Sequence, residues 1–145
     1  MFAKFLTFLK FEEQLLIELL RLSERQQRAI VLNDIRELDE INSYQTELQK
    51  NLRRAEDERF KILATWLNIN INSTREIKIS ELKKFLKKDE IRELKLVQEK
   101  FQILTNKLNT TNATNRILIN RARHGIKEMI DFITNGTQNV CNVKV

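Results

Sequence analysis

Histidine and cysteine, the side chains that most often carry enzyme chemistry, occur once each in this chain. His124 lies in a basic stretch, with Arg121 three residues before it and Glu128 one helical turn after it. A di-iron bundle needs Glu-x-x-His pairs from two helices, and Arg121 occupies the position where the glutamate would stand. Cys141 has no nearby histidine that would activate its thiol. The sequence therefore predicts no catalytic residue, no metal site and no cofactor.

The composition is typical of a charged helical bundle. The 145 residues are 41% hydrophobic and 32% charged, with two glycines and no proline, which suits one folded domain. A single cysteine fits a reducing compartment. No signal sequence is evident, and no stretch approaches the roughly 18 to 20 apolar residues of a membrane span. We expect a cytoplasmic protein that does not insert into a membrane.

The net charge of +6 raises the question of a nucleic-acid partner, which needs basic residues clustered on one face. The densest basic run, Lys83 to Lys88, is interleaved with acidic side chains such as Glu81, Asp89 and Glu90. Such interleaving is typical of a solvated helix face with ion pairs between successive turns. We therefore expect no nucleic-acid partner.

Three stretches of the chain place apolar or small residues at alternating steps of three and four, the heptad spacing of helices that pack along one another. This pattern predicts an all-α fold, an elongated antiparallel bundle or coiled coil of three long helices plus one short helix. The three stripes include Phe5, Phe8, Glu12, Leu15, Leu19, Leu22; Leu38, Ile41, Leu48, Leu52, Ala55, Arg59, Ile62, Trp66; and Leu94, Val97, Phe101, Leu104, Leu108, Thr111, Asn115, Leu118, Ala122, Gly125, Met129, Phe132.

Capping signals divide these helices. Asn33 and Asp34 supply N-cap chemistry, and Glu37 stands where a capping box would place it, so we favour a full turn at Asn33 over a kink. Residues 68–80 lose the helical period and predict an extended connector. A short helix over 81–87 follows, with Leu82, Phe85 and Leu86 facing the bundle. The last helix is expected over 89–135, which gives a single domain of residues 1–136 and a flexible tail of residues 137–145.

The second half of the last helix carries two unusual features. Thr111 and Asn115 put polar groups on the apolar stripe, where they either fix the helix register by burial or lie in solvent. Further on, the helix is apolar on more than one side, so it needs more than one neighbour. Either the N-terminal phenylalanine cluster folds over this surface or a partner's amphipathic helix does, and we favour the partner. The second apolar stripe contains Ile119, Ile126, Ile130 and Ile133.

Five segments follow one another in a specific order. A first helix FEEQLLIELLRLSERQQRAI is followed by a Leu32-Asn33-Asp34 break, a second helix IRELDEINSYQTELQKNLRRAEDER and a Ser80-Glu81-Leu82 segment before the last helix. That helix carries an Asn-x-x-Asn-x-x-Leu element at Asn112, Asn115 and Leu118. In the order and spacing of these segments, roughly residues 10 to 135 of the chain resemble the FlgN family of flagellar export chaperones.

The resemblance implies a cytoplasmic chaperone without enzymatic activity. It would hold the C-terminal amphipathic segments of hook-associated proteins 1 and 3 and deliver them to the flagellar type III export apparatus. It also implies a substrate-binding part near the C-terminus, about residues 106–135. The partner-binding residues predicted there are Asn112, Asn115, Leu118, Ile119, Ala122, Gly125, Ile126, Met129, Ile130 and Ile133.

Two other classes of function remain open on the sequence. A structural coiled-coil adaptor or a self-associating bundle would use the same apolar seams and would form a stable oligomer. A basic protein that binds nucleic acid or an anionic membrane surface would use the net charge, and its affinity would fall steeply with salt.

Overall fold

The computed structural model describes the backbone of residues 1–143 and the side chains of residues 1–135. Within that part the chain is helical, without strands, which confirms the all-α prediction. Three long helices carry the architecture: α1 (Phe2–Val31), α2 (Ile35–Leu67) and α5 (Lys88–Val143). Two single-turn helices, α3 (Ile71–Thr74) and α4 (Ile79–Leu82), and a 3₁₀ turn (Lys83–Phe85) connect α2 to α5.

A full turn separates α1 from α2, as the capping residues predict. Asn33 adopts a left-handed backbone with φ of 55°, which asparagine tolerates better than most residues. The Asp34 side chain accepts a hydrogen bond of 3.1 Å from the backbone N–H of Glu37. The Glu37 carboxylate does not complete the capping box but accepts hydrogen bonds from Arg25 on α1, which ties the two helices together beside the turn.

Helix α1 lies at the centre of the bundle, and its contacts fix the direction of the other two. Its Glu12 meets Arg59 near the end of α2, so α1 and α2 are antiparallel. Its Lys10 pairs with Glu93 at the start of α5, and Ser23 contacts Asn112 further along, so α5 runs parallel to α1. The result is an up-down-up bundle in which α1 buries side chains against both neighbours.

The main apolar core lies at the end of the bundle where α1 and α5 begin and α2 ends. We call it the base. Trp66 lies against the rings of Phe2 and Phe5, with centroids 6.2 and 6.0 Å apart. The buried members of the base are Phe5, Leu6, Leu9, Leu63, Leu82, Leu94 and Val97.

This location excludes the alternative, not favoured above, in which the N-terminal phenylalanine cluster folds over the far end of α5. Because α5 is parallel to α1, Phe5 lies beside Leu94 and Val97, and the second half of α5 is at the opposite end of the molecule. The N-terminal phenylalanine cluster and the apolar surface of the second half of α5 are therefore not in contact.

The connector differs from its prediction. Within the predicted extended connector, residues 71–74 form a helical turn, and the next helical turn begins at Ile79, two residues before the predicted start of the short helix. Leu82 is buried as predicted, but Phe85 is 63% exposed. The predicted helix over 81–87 ends at Phe85. Leu86 has an extended backbone and packs against the base, as predicted.

Helix α5 starts at Lys88, where the Glu90 carboxylate accepts a hydrogen bond of 2.8 Å from the backbone N–H of Lys87. The helix continues to Val143, past the end expected near Asn135. The predicted flexible tail, residues 137–145, lies outside the described side chains, so its flexibility stays a prediction.

Candidate partner-binding surface

Helix α5 is longer than the helix it packs against, and this difference creates the exposed surface. Ser23 contacts Asn112 and Gln26 contacts Asn115, each with an offset of 89 residues. The same offset places Val31, the last residue of α1, at the level of Asn120. Every side chain from residue 123 to residue 135 is exposed. We call residues 123–135 the overhang, which spans about 20 Å at about 1.5 Å per residue.

The overhang carries large apolar side chains in solvent. Exposed fractions are 56% for Ile126, 64% for Met129, 57% for Ile130, 79% for Phe132 and 59% for Ile133. Soluble monomers rarely leave contiguous apolar patches of this kind open, and such patches mark interaction sites. The surface that the sequence assigns to a partner is therefore accessible in this structure.

Leu118, Ile119 and Ala122 form the root of the overhang and are half-buried. The turn between α1 and α2 lies at the same level and is also apolar. Its three side chains, which we call the tip, are Val31, Leu32 and Ile35, with exposed fractions of 69%, 76% and 71%. Exposed apolar groups thus occur on both the hairpin and α5 where the bundle ends.

Gly125 sits in the overhang with open space around it. A Cβ atom at this position would meet no heavy atom within 4 Å. Gly125 is among the residues predicted to face a partner, and its missing side chain would let another backbone come close. Within the described part of the chain, no element makes that approach.

Asn112 and Asn115 of the predicted site face α1. Asn115 is 2% exposed and its Nδ2 donates to the backbone oxygen of Ser23 at 2.8 Å and to Gln26 Oε1 at 3.1 Å. Ser23 Oγ in turn donates to Asn112 Oδ1 at 2.8 Å. Of the two alternatives for the polar seam residues, burial is right for Asn115, which fits a role in fixing the α1–α5 register.

Thr111 is half-buried, and its hydroxyl donates to the Lys107 carbonyl of its own helix at 2.8 Å. It makes no interhelical bond of the kind that Asn115 makes among the described contacts. The two polar residues of the seam therefore differ in role.

The side-chain oxygen of Asn115 is a second notable feature of this residue. Its Oδ1 is buried and has no hydrogen-bond partner in the described part of the chain. Asn115 lines a cleft of about 330 Å³ where α1, α2 and α5 meet, together with amide side chains such as Gln45 and Gln49. A buried unpaired acceptor is costly, so this oxygen favours a water molecule or a donor from a partner.

Charge is unevenly distributed along the end of α5. Arg121, Arg123 and Lys127 come first, and Glu128 and Asp131 follow. His124 Nε2 lies 3.1 Å from Glu128 Oε1, and both side chains are largely in solvent. Among the described residues no group of three or more His, Cys, Asp and Glu could hold a metal ion.

A buried ion pair between α1 and α2 was not predicted as such. Arg59 Nε donates to Glu12 Oε1 at 2.6 Å, with side-chain exposures of 17% and 5%. Burial raises the pKa of Glu12, and the Arg59 guanidinium opposes that rise only in part. A signal was present, because Glu12 and Arg59 each interrupt an apolar stripe at a seam position.

The fold and this surface together define a helical-bundle protein that presents an apolar helix face. No helix in the described part of the chain is long and apolar enough to cross a membrane. The features fit a protein that binds other helices.

The family comparison makes the class specific. The chain matches the family model described as FlgN protein over residues 1–142. It belongs to the FlgN family, a family of flagellar export chaperones that bind flagellar proteins and are not enzymes. The resemblance seen in the sequence is thereby confirmed. No curated protein and no solved structure matches the chain.

Proposed function

We propose that this chaperone acts in the cytoplasm and binds the C-terminal amphipathic helices of hook-associated proteins 1 and 3. It prevents these proteins from assembling early and delivers them to the flagellar export apparatus. The observation that carries the proposal is the overhang, where helix α5 leaves the bundle with Ile126, Met129 and Ile130 in solvent. An apolar helix face of this width is suited to an amphipathic helix.

The proposed site extends from the cleft to the overhang, within residues 106–135. Leu118, Ile119 and Ala122 at the root provide a partly covered floor. Both Asn112 and Asn115 contact α1. Asn115 is buried and faces the cleft, where a donor from the substrate would pair with its Oδ1. The outer part of the site consists of Gly125, Ile126, Met129, Ile130 and Ile133.

The energetics favour moderate and reversible binding. The outer part of the site has four large apolar side chains. Burying them contributes about 6 to 12 kcal/mol to the free energy of binding, at about 1.5 to 3 kcal/mol each. Association costs an estimated 4 to 15 kcal/mol in lost motion and ordering. The two ranges are of similar size, so this surface favours reversible binding, which a chaperone that must release its cargo requires.

The test is calorimetric titration of the protein with the C-terminal segment of the same organism's hook-associated protein 1. Replacing Ile126→Asp and Ile130→Asp should abolish binding and leave helicity largely intact, because both side chains are exposed. A matched control replaces Leu96→Asp and Ile103→Asp, which are 59% and 55% exposed on the same helix within the bundle. Full binding by the overhang variant, or loss of binding by the control, would contradict the proposed site.

Salt and temperature distinguish the mechanism. Apolar capture predicts a negative heat-capacity change and an affinity that changes little between low and high salt. A steep fall in affinity with salt would instead indicate binding through charge. A folded sample without affinity for the segment would favour the structural adaptor.

A further inference from the structure

The positive charge of the chain is concentrated in the part of α5 that leads into the overhang. Residues 100–127 contain six lysine and arginine residues and no aspartate or glutamate. The formal net charge of the whole chain is +6, so acidic and basic residues balance in the rest of the chain. The start of α5, residues 88–99, carries both signs. A run of one sign beside an exposed apolar surface is suited to a partner of the opposite charge.

Three of these basic residues border the second apolar stripe, and we call them the basic edge. Each stands three residues before an isoleucine, and residues three apart on a helix are neighbours on its surface. The pairs are Arg116 and Ile119, Arg123 and Ile126, and Lys127 and Ile130. Arg116 and Ile119 line the cleft together with Gln45 and Gln49 of α2. The basic edge therefore begins on the side of α5 that faces α2.

The basic edge has no acidic partner among the side chains that the structure describes. None of its three members forms an ion pair there, whereas Lys100, earlier on the same helix, pairs with Glu13 of α1. Arg123 and Lys127 are one helical turn apart, and like charges at this spacing repel each other. An acidic side chain supplied by a partner would relieve this repulsion.

The shape of the surface favours a helix as that partner. Ile119 lines the cleft beside the hairpin of α1 and α2, and Ile126 follows two turns further along the same side of α5. The hairpin ends at the level of Asn120, so the overhang and the tip together form a step. A helix about 10 Å across fits into such a step, whereas the hairpin would hold a flat bilayer away from the isoleucines.

We propose that the partner of the overhang is an amphipathic helix with acidic side chains along one edge of its apolar face. The apolar face of this helix covers Ile126 and Ile130, and its acidic edge lies against Arg123 and Lys127. A helix with a basic edge would bring like charges together at the same contact and is rejected. The inference rests on the proposed function, which places a helix on the overhang, and it adds the charge of that helix.

The ion pairs select the partner, and apolar burial supplies most of the affinity. Exposed ion pairs contribute little individually, and salt screens them. The preference for an acidic edge should therefore shrink at high salt, while binding itself persists. This is consistent with the weak salt dependence expected for apolar capture.

Two synthetic peptides test the charge of the partner directly. Both form amphipathic helices with the same leucine face, and they differ only in carrying glutamate or lysine along one edge of that face. In calorimetric titrations, the unmodified chain should bind the glutamate peptide about tenfold more tightly than the lysine peptide. Equal affinities, or no binding of either peptide, would overturn the proposal.

Charge reversal tests whether the basic edge causes the preference. Arg123→Glu with Lys127→Glu should reverse it, so that the lysine peptide binds more tightly. The matched control, Arg92→Glu with Lys95→Glu, makes the same change of charge at two exposed positions near the start of α5 and should keep the preference for glutamate. A preference that survives in the Arg123 and Lys127 variant, or that the control abolishes, would overturn the assignment to the basic edge.

Two further measurements separate this proposal from other assignments. The unmodified chain should not bind phosphatidylserine vesicles; binding that the Arg123 and Lys127 variant loses would overturn the helical partner in favour of an anionic membrane surface. If the hook-associated segment does not bind while the glutamate peptide does, the proposed function fails and the acidic helix stands. If that segment binds while the two peptides bind equally, the acidic helix fails and the chaperone assignment stands.

Discussion

Helix α5 has heptad-spaced apolar residues both at the base of the bundle and in the overhang, but they are buried at the base and exposed in the overhang. At the base, Leu94 and Val97 of α5 are 1% and 5% exposed among side chains from α1, α2 and α4. In the overhang, Ile126 and Ile130 follow the same spacing and are more than half exposed. The pattern is shared, but the neighbours are not.

This difference shows that the length of α1 determines which part of the apolar stripe of α5 is buried and which part is exposed. Helix α1 ends at Val31, level with Asn120, and the exposed stretch begins at residue 123. Residues of the apolar stripe before that point, such as Leu94 and Val97, stabilise the fold. Those beyond it contribute little to folding and are available for binding.

The largest expected effect comes from a matched pair of phenylalanines. Phe5 is 1% exposed in the base and Phe132 is 79% exposed in the overhang. Phe5→Ala should lower the free energy of unfolding by about 3 to 5 kcal/mol, whereas Phe132→Ala should change it by less than about 0.5 kcal/mol. Urea denaturation followed by circular dichroism measures both. Similar losses for the two variants would contradict the division between base and overhang.

The buried ion pair adds a second large effect inside the bundle. Arg59→Met leaves Glu12 buried without its partner, and breaking such a pair costs about 3 kcal/mol or more. Because the uncompensated carboxylate is protonated in acid, this destabilisation should shrink as the pH falls. Thermal denaturation of the variant and the parent chain across acidic pH measures the trend. A loss independent of pH would show that Arg59 acts only through packing.

Titration of Glu12 in the parent chain has a defined sign. Burial raises its pKa in the folded state above the ordinary value of 4.5, so the folded chain holds a proton that the unfolded chain has released. The stabilisation that the bound proton provides is complete below about pH 4.5, and it is lost as the pH rises through the raised pKa of Glu12. Glu12→Gln should remove this contribution to the pH dependence of the melting temperature. An unchanged pH profile would contradict the assignment of that titration to Glu12.

The smallest effect is expected in the overhang itself. Gly125→Ala fits without contact and should strengthen the helix locally by about 1 kcal/mol. Since the overhang adds little to the bundle, global unfolding should change by less than this amount. Amide hydrogen exchange near residue 125 should slow, and exchange at the base should not. A large rise in global stability would mean that the overhang folds as part of the core.

Much of the fold follows from local physics. Asn33 and Asp34 predict the turn, because their side chains cap helices and tolerate its backbone, and the heptads predict three long helices. The sequence left open whether the N-terminal phenylalanines fold over the end of the last helix, because one apolar stripe does not tell which end of another helix it meets. The structure excludes that alternative. The prediction that Phe85 faces the bundle was wrong, because helix spacing was extended across a segment that breaks into turns.

The sequence predicted which apolar residues of the candidate site need a partner, but it did not predict which residues of α1 contact its polar members. Apolar width alone predicts that Ile126 and Ile130 form a surface in need of a partner. The polar contacts of Asn112 and Asn115 were not predictable, because they depend on which residues of α1 lie opposite. The Glu12–Arg59 pair had a signal in two interrupted stripes, but pairing them required knowledge of the register between α1 and α2.

The most direct test of the central claim is hydrogen exchange of the chain, free and with the C-terminal segment of hook-associated protein 1. The account predicts that exchange slows from Leu118 through Ile133 and stays unchanged around Leu94 and Val97. Protection gained at the base, with none in the overhang, would contradict it.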